Sequence, residues 1–134
     1  MSAPEPVPGP EITPLSQPYW SGLAEGRLLY QLCANCANAW LPAREECPRC
    51  LGDEWAWTDA SGRGRIISWV IYRQAVHPAF ADRIPYTVAI VELDEGPRMI
   101  TNVDAEESEL GIEKPVRARF EDESGTAVVR FELE

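Results

Sequence analysis

The chain has 134 residues, 45% of them hydrophobic and 25% charged, a balance that excludes a fibrous or disordered protein and leaves room for one compact domain carrying a small module. Twelve basic residues against 22 acidic ones give a net charge of −10, which argues against a nucleic acid as the main partner, because such binding rests on lysine and arginine neutralising phosphates. A local cluster of arginines can still hold a small anion on an acidic protein.

Residues 1–18 contain Pro4, Pro6, Pro8, Pro10, Pro14 and Pro18, and proline both fixes φ and removes a backbone donor, so this stretch reads as an extended, flexible arm. Its first residues, Met1-Ser2-Ala3-Pro4-Glu5-Pro6, lack the basic and apolar regions of a signal peptide. The apolar runs are a few residues long, far short of the roughly 20 that a bilayer crossing needs. The expectation is a cytoplasmic protein without a membrane span.

Residues 19–31 read as a helical segment, since Tyr19, Trp20, Leu23, Arg27 and Leu28 fall at spacings of three and four. Ser16 is placed to cap it, and Gly22 and Gly26 limit it to one or two short turns packed through Trp20 and Leu23. Core packing accounts for such a face. An aromatic face beside a flexible arm also suits docking, which makes Trp20 and Leu23 candidate partner contacts.

All four cysteines fall within residues 32–58, as Cys33-x2-Cys36-x10-Cys47-x2-Cys50. A C-x2-C pair puts two sulfurs of one tight turn on the same metal, and ten residues suffice for a hairpin that brings two such turns together. Disulfides suit neither a cytoplasmic chain nor such close spacing, and a thioredoxin-type redox pair needs a single C-x2-C in a βαβ setting. Four thiolates complete a tetrahedral shell with no position left for water, so the expected zinc is structural. Pro48 and Gly52 fit the second turn as a rigid beginning and a flexible end that let backbone amides point at sulfur.

Residues 59–134 carry strand-like runs separated by turn signals. The stretch from Arg65 to Val76 sets Ile67, Trp69 and Ile71 against Ile66, Val70 and Tyr72, so both faces are apolar and a long central strand is expected. Pro85 to Leu93 is the second strand, Asp94-Glu95-Gly96-Pro97 a turn, and Arg98 to Val103 the third strand. Asp104 and Glu107 suggest a capped helix through Leu110, stopped by Gly111. Val116 to Glu121 and Ala127 to Leu133 form a last hairpin about Glu123-Ser124-Gly125-Thr126, with Phe120 and Phe131 inside. Three strands, a helix and two strands is the order of a five-stranded OB-fold barrel, an order that other small barrels share.

The inventory contains no catalytic constellation. His77, the one histidine, falls in the loop between the first two barrel strands and cannot form a triad alone. The pairs Glu45-Glu46, Asp94-Glu95 and Glu106-Glu107 read as solvated surface. Ser61-Gly62-Arg63-Gly64-Arg65 is too short for a dinucleotide or phosphate loop and reads as a glycine hinge into the barrel. Arg44, Arg49, Arg63, Arg65 and Arg73 are candidates for a phosphate site; pairing with neighbouring carboxylates is the alternative.

The ordered set Trp20 to Tyr30, four cysteines with Cys47-Pro48-Arg49-Cys50, Ser61-Gly62-Arg63-Gly64, Pro85-Tyr86-Thr87-Val88-Ala89 and Val91-Glu92-Leu93-Asp94-Glu95-Gly96 resembles the domain-of-unknown-function 35 family, acyl-CoA-associated zinc-ribbon and OB-fold proteins, over residues 18–134. The resemblance implies an N-terminal helical segment, a rubredoxin-like ribbon and an OB barrel. It also implies a partner of thiolase-fold enzymes: acyltransferases, hydroxymethylglutaryl-CoA-forming assemblies, or lipid-transfer-type aldolases acting on steroid side-chain CoA thioesters, with the reactive residues on the thiolase-like subunit. Only Cys33, Cys36, Cys47 and Cys50 carry over as site residues. The resulting expectation is an accessory subunit with no catalytic residue of its own, in a hetero-oligomer with acyl-CoA at the shared interface. Single-stranded nucleic-acid binding is the rival reading, disfavoured by charge. An autonomous zinc hydrolase or redox enzyme would need an open metal position or a reactive thiol.

Overall fold

The computed structural model describes residues 9–75 and 78–134; His77 lies outside them. Secondary structure begins with a helical turn at residues 14–16 that leads into helix α1, Gln17–Ala24. The turn is closed reciprocally: the Thr13 amide donates to Ser16 Oγ at 3.0 Å and the Ser16 amide to Thr13 Oγ1 at 3.2 Å. Thr13, rather than Ser16, therefore occupies the capping position, with Pro14 following it where the missing N–H costs nothing. The tail of the stretch read as an extended arm is thus helical. The far end also differs from expectation, because Leu29–Cys33 is not helix but strand β1.

Strands β1, β2 (Ala39–Trp40) and β3 (Trp55–Asp59) make a small antiparallel sheet in the order β2-β1-β3. Five residue pairs from Leu29↔Asp59 to Cys33↔Trp55 join β1 to β3. As the middle strand, β1 buries four of its five residues, which explains why its apolar spacing does not alternate.

The remaining five strands are β4 (Arg63–Tyr72), β5 (Tyr86–Leu93), β6 (Arg98–Asp104), β7 (Pro115–Glu123) and β8 (Thr126–Leu133). They close a barrel in the order β4-β5-β6-β8-β7. Every neighbouring pair is antiparallel except β6 and β8, which run parallel through Val103↔Phe131 and Asp104↔Glu132. This closed five-stranded barrel is the expected OB-fold. Between β6 and β7, where a capped helix was expected, stands one 3-10 turn, Glu107–Glu109, preceded by an extended Glu106 with no side-chain cap. Asp104 ends β6 instead of starting a helix.

The barrel core is built from Ile66, Ala89, Val91, Leu93, Val103, Val116 and Phe131, joined by Leu23 of α1 and Leu28 after it. The N-terminal helix therefore serves as the barrel's cover. Phe131 is fully buried and Phe120 packs against the core, as expected. Gly64 is fixed by space: an added Cβ would stand 2.5 Å from the Glu92 carbonyl oxygen across the strand pair. The β7–β8 hairpin turns on Ser124 and Gly125, with φ of 52° and 89°, the positive values that a two-residue hairpin requires.

A register shift between Ile66 and Ser68 marks a bulge in β4. Before it Gly64 and Ile66 are buried, whereas beyond it Trp69 and Ile71 are the half-buried positions and Ser68, Val70 and Tyr72 are exposed. The strand is central as expected, yet one of its two apolar faces is left uncovered by the described residues.

Candidate zinc centre and barrel cleft

Each cysteine pair occupies a tight turn of the ribbon. The first turn links β1 to β2, where the Ala37 amide bonds the Cys33 carbonyl at 3.2 Å and the Cys33 amide bonds the Asn38 carbonyl at 2.9 Å. The second repeats the pattern: Leu51 amide to Cys47 carbonyl at 2.8 Å, and Cys47 amide to Gly52 carbonyl at 2.8 Å. Ala37 and Leu51, both at φ 62°, take the left-handed conformation that lets each turn reverse. The conformational exit expected of Gly52 is thus made by Leu51. Gly52 answers to space, since a Cβ there would lie 2.7 Å from Asn35 Nδ2.

The four sulfurs all lie within 4.8 Å of one another. Cys33 and Cys50 Sγ are 3.5 Å apart, and Cys36 and Cys47 Sγ 3.6 Å. A tetrahedral zinc with bonds of about 2.3 Å sets its sulfurs about 3.8 Å apart, so the cage fits the ion. Backbone amides of Asn35 and Cys36 point at Cys33 Sγ, and that of Arg49 at Cys47 Sγ, at 3.4 to 3.5 Å. Burial opposes a thiolate at Cys47, but amides of Cys50 and Arg49, with the Cys36 and Asn38 side chains, outweigh it and bring the thiol down to about 6. Such donors stabilise the charged ligands that zinc needs. These four cysteines would hold the one structural zinc of the rubredoxin-like ribbon.

An aromatic row missed by the sequence reading ties this centre to the helix. Trp20, Tyr19, Trp57, Trp55 and Trp40 follow one another with ring centroids 5.2, 6.4, 5.7 and 6.3 Å apart. Three of the contacts are edge-to-face, the favourable arrangement for aromatic quadrupoles. Trp40 is buried with Cys33 and Cys47, while burial raises the Tyr19 phenol to about 12. Trp20 keeps a partly exposed surface at the end of the row. Leu23, read as core packing with a partner contact as the other candidate role, is 2% exposed and belongs to the barrel core, where its apolar side chain seats the helix.

The candidate arginines do not form one cluster. Arg63 pairs with Glu134, Arg65 with Glu92 and Glu113, and Arg73 with Glu107. Arg63 begins β4 and Arg73 follows its end, so ten residues, about 30 Å, separate them. Arg44 and Arg49 lie on the ribbon, exposed and, among the described residues, without an ion pair. Of the acidic pairs read as surface, Glu95 departs from expectation: it is half-buried and accepts the Ser61 amide at 2.9 Å.

A cleft of about 830 Å3 opens where β6 and the β7–β8 hairpin diverge. Arg130 crosses it, bonding Glu121 at 3.0 Å, Glu123 at 2.6 Å and Asn102 at 2.9 Å. Arg119 pairs with Asp104 and Glu121, and Arg83 with Glu123. Three arginines are thus met by three carboxylates, in contrast to the basic groove of OB-folds that bind single strands.

No helix among the described residues is long and apolar enough to cross a membrane. Residues 20–56 match the family model for the ChsH2 rubredoxin-like zinc ribbon domain and residues 57–121 that for the ChsH2 C-terminal OB-fold domain. A DUF35 domain-containing scaffold protein of Methanothermobacter thermautotrophicus is 34% identical over 108 residues, 75% of this chain and 80% of the relative. A probable enoyl-CoA hydratase alpha subunit of Thermomonospora curvata is 35% identical over 72% of this chain, which spans only 30% of that relative's length. Among solved structures, that of an Ltp2-ChsH2(DUF35) aldolase superposes with a TM-score of 0.82 at 29% identity, covering 93% of this chain and 98% of the other. By modules, cysteines and fold together, the chain belongs to the DUF35 family of rubredoxin-like zinc-ribbon and OB-fold proteins.

Proposed function

We propose that this chain is a non-catalytic accessory subunit of a thiolase-fold acyl-CoA enzyme complex, of the lipid-transfer-type aldolase or acyltransferase kind. The observation that carries the reading is the near full-length likeness to the ChsH2(DUF35) component of an aldolase. The chemistry of the chain agrees with it: four cysteines saturate one zinc, and the cleft arginines are engaged by carboxylates. The names of related chains, scaffold protein and hydratase alpha subunit, support a role within assemblies.

In this reading the reacting groups sit on the partner and this chain supplies binding surface, with Trp20 as one contact. Arg44 and Arg49 are the guanidinium groups most available to CoA phosphates, because Arg63, Arg65 and Arg73 would first give up a carboxylate. Co-expression with the thiolase-like gene nearest its own, followed by size-exclusion chromatography and assay with an acyl-CoA, tests the proposal. Co-elution and activity that depends on this subunit are expected. Separate elution with unchanged partner activity refutes it.

A further inference from the structure

The uncovered face of β4 extends across two neighbouring strands. Beyond the bulge, Val70 stands opposite Val88 and Tyr72 opposite Tyr86, and on the other side of β5 Ile90 stands opposite Ile100. These six outward side chains adjoin on one sheet face, with the Tyr72 and Tyr86 rings stacked at 5.2 Å. Ile100 is 75% exposed and Val70 56%, and of the seven exposed large hydrophobic residues among the described residues four lie on this face.

Antiparallel strands with one solvated face alternate apolar with polar residues, whereas runs apolar at every position belong to strands covered on both sides. Apart from Ser68 and Thr87, residues 66–72 and 86–91 are of the second kind, although the described residues of this chain cover only their inner side. β-Branched and aromatic residues on the outer side are what a covering protein would bury.

Charge identifies the cover. At the end where β6 leaves the face, Asp104, Glu106, Glu107 and Glu109 stand together. Arg119 pairs with Asp104 and Arg73 with Glu107, so Glu106 and Glu109 leave this end negative, while at the opposite end Arg65 and Arg98 are balanced by Glu92 and Glu113. The chain carries a net charge of −10, so two copies brought face to face would repel one another at this acidic margin. The apolar area, three strands about 4.8 Å apart and some five residues long, is on the order of 200 Å2. A stable interface takes about 800 Å2 per partner, so the face is one part of a larger contact.

We propose that the outer face of β4, β5 and β6, centred on Val70, Ile90 and Ile100, docks a different protein that presents an apolar patch flanked by lysine or arginine. The proposal rests on the accessory-subunit reading and assigns the surface through which that subunit assembles. Ile100→Glu places a charge in the contact, and the double variant Val70→Thr with Ile100→Thr removes apolar surface while keeping strand-forming residues.

The test measures binding of native and variant full-length chains to the product of the thiolase-like gene nearest its own, with thermal unfolding and zinc content alongside. Both variants are expected to bind at least about tenfold more weakly than the native chain at unchanged zinc content and unfolding temperature. Glu106→Gln with Glu109→Gln is expected to slow association and weaken its salt dependence. Native-like affinity of both apolar-face variants overturns the assignment of the face while leaving the accessory reading intact. Failure of the native chain to bind overturns the accessory reading, and the assignment falls with it. Self-association of the native chain that Val70→Thr with Ile100→Thr abolishes overturns the choice of a different protein as occupant.

Discussion

The carboxamide of Gln31 closes a two-bond ring with the backbone of Arg44: Nε2 donates to the Arg44 carbonyl and Oε1 accepts the Arg44 amide, each at 2.8 Å. Gln31 is fully buried in the middle strand of the ribbon, so its polar group reproduces one rung of a sheet where no strand is present. The segment leading from β2 to the second cysteine turn is held by it, and with it the exposed Arg44. Gln31→Leu keeps the volume but leaves these backbone groups unpaired, which is expected to cost about 1–3 kcal/mol. Thermal unfolding of the purified variant checks this, and an unchanged unfolding temperature would show that water replaces the carboxamide without loss.

Zinc removal reports on the other anchor of the ribbon. The native protein is expected to contain one zinc per chain by elemental analysis. Cys47→Ser is expected to lose most of it, with a fall on the order of 10 °C in unfolding temperature. A strong chelator should lower the native transition in the same way and leave the Cys47→Ser transition where it is. Because Trp40 packs against Cys33 and Cys47, tryptophan fluorescence should shift with metal loss.

The cysteine spacing and the barrel strands were legible in the sequence because both depend on local signals: thiol pairs in tight turns, and β-branched runs bounded by Gly96 or Ser124-Gly125. Strand β1 was not, because Leu28, Leu29 and Tyr30 continue a helical spacing from Trp20 and become strand only through pairing with residues 55–59. The bulge after Ile66 was invisible for a related reason. One unpaired residue exchanges the two faces of β4, and with two apolar faces the sequence does not say which is covered. The arginines looked clustered by count, but the strand carrying Arg63 and Arg65 away from Arg73 separates them by its own length.

The close strand contact at Gly64 yields a sharper test of the barrel than any core truncation. Gly64 pairs with both Leu93 and Val116, and an added methyl would meet the Glu92 carbonyl oxygen and, at 2.9 Å, Val91 Cγ1. Neither neighbour can withdraw without opening the β4–β5 ladder. Gly64→Ala is therefore expected to destabilise by roughly 1–3 kcal/mol despite its better strand propensity. Gly9→Ala, where no atom lies within 4 Å of the added carbon, is the control and should be neutral. Equal unfolding temperatures for the two variants would contradict the close contact.

The cleft predicts an acid dependence whose sign follows from Glu123. The Arg83 guanidinium, and after it that of Arg130, hold this carboxyl below its usual range against the opposing effect of burial. A carboxyl whose folded value is depressed adds stability that is fully present above its unfolded value, about 4.3. That increment is lost as the pH falls through the lower, folded value. Glu123→Gln removes the charge with little change of shape, so at pH 7 it should lower stability by about 1 kcal/mol, or about 2–4 °C. Native and variant unfolding temperatures should then converge as the pH is brought from 5 towards 3, because protonation of the native carboxyl abolishes the same ion pairs. Arg130 keeps its bonds to Glu121 and Asn102 in the variant, which limits the loss to the Glu123 contribution. A difference that stays constant from pH 7 to pH 3 would assign the cost to packing of the side chain and not to its charge.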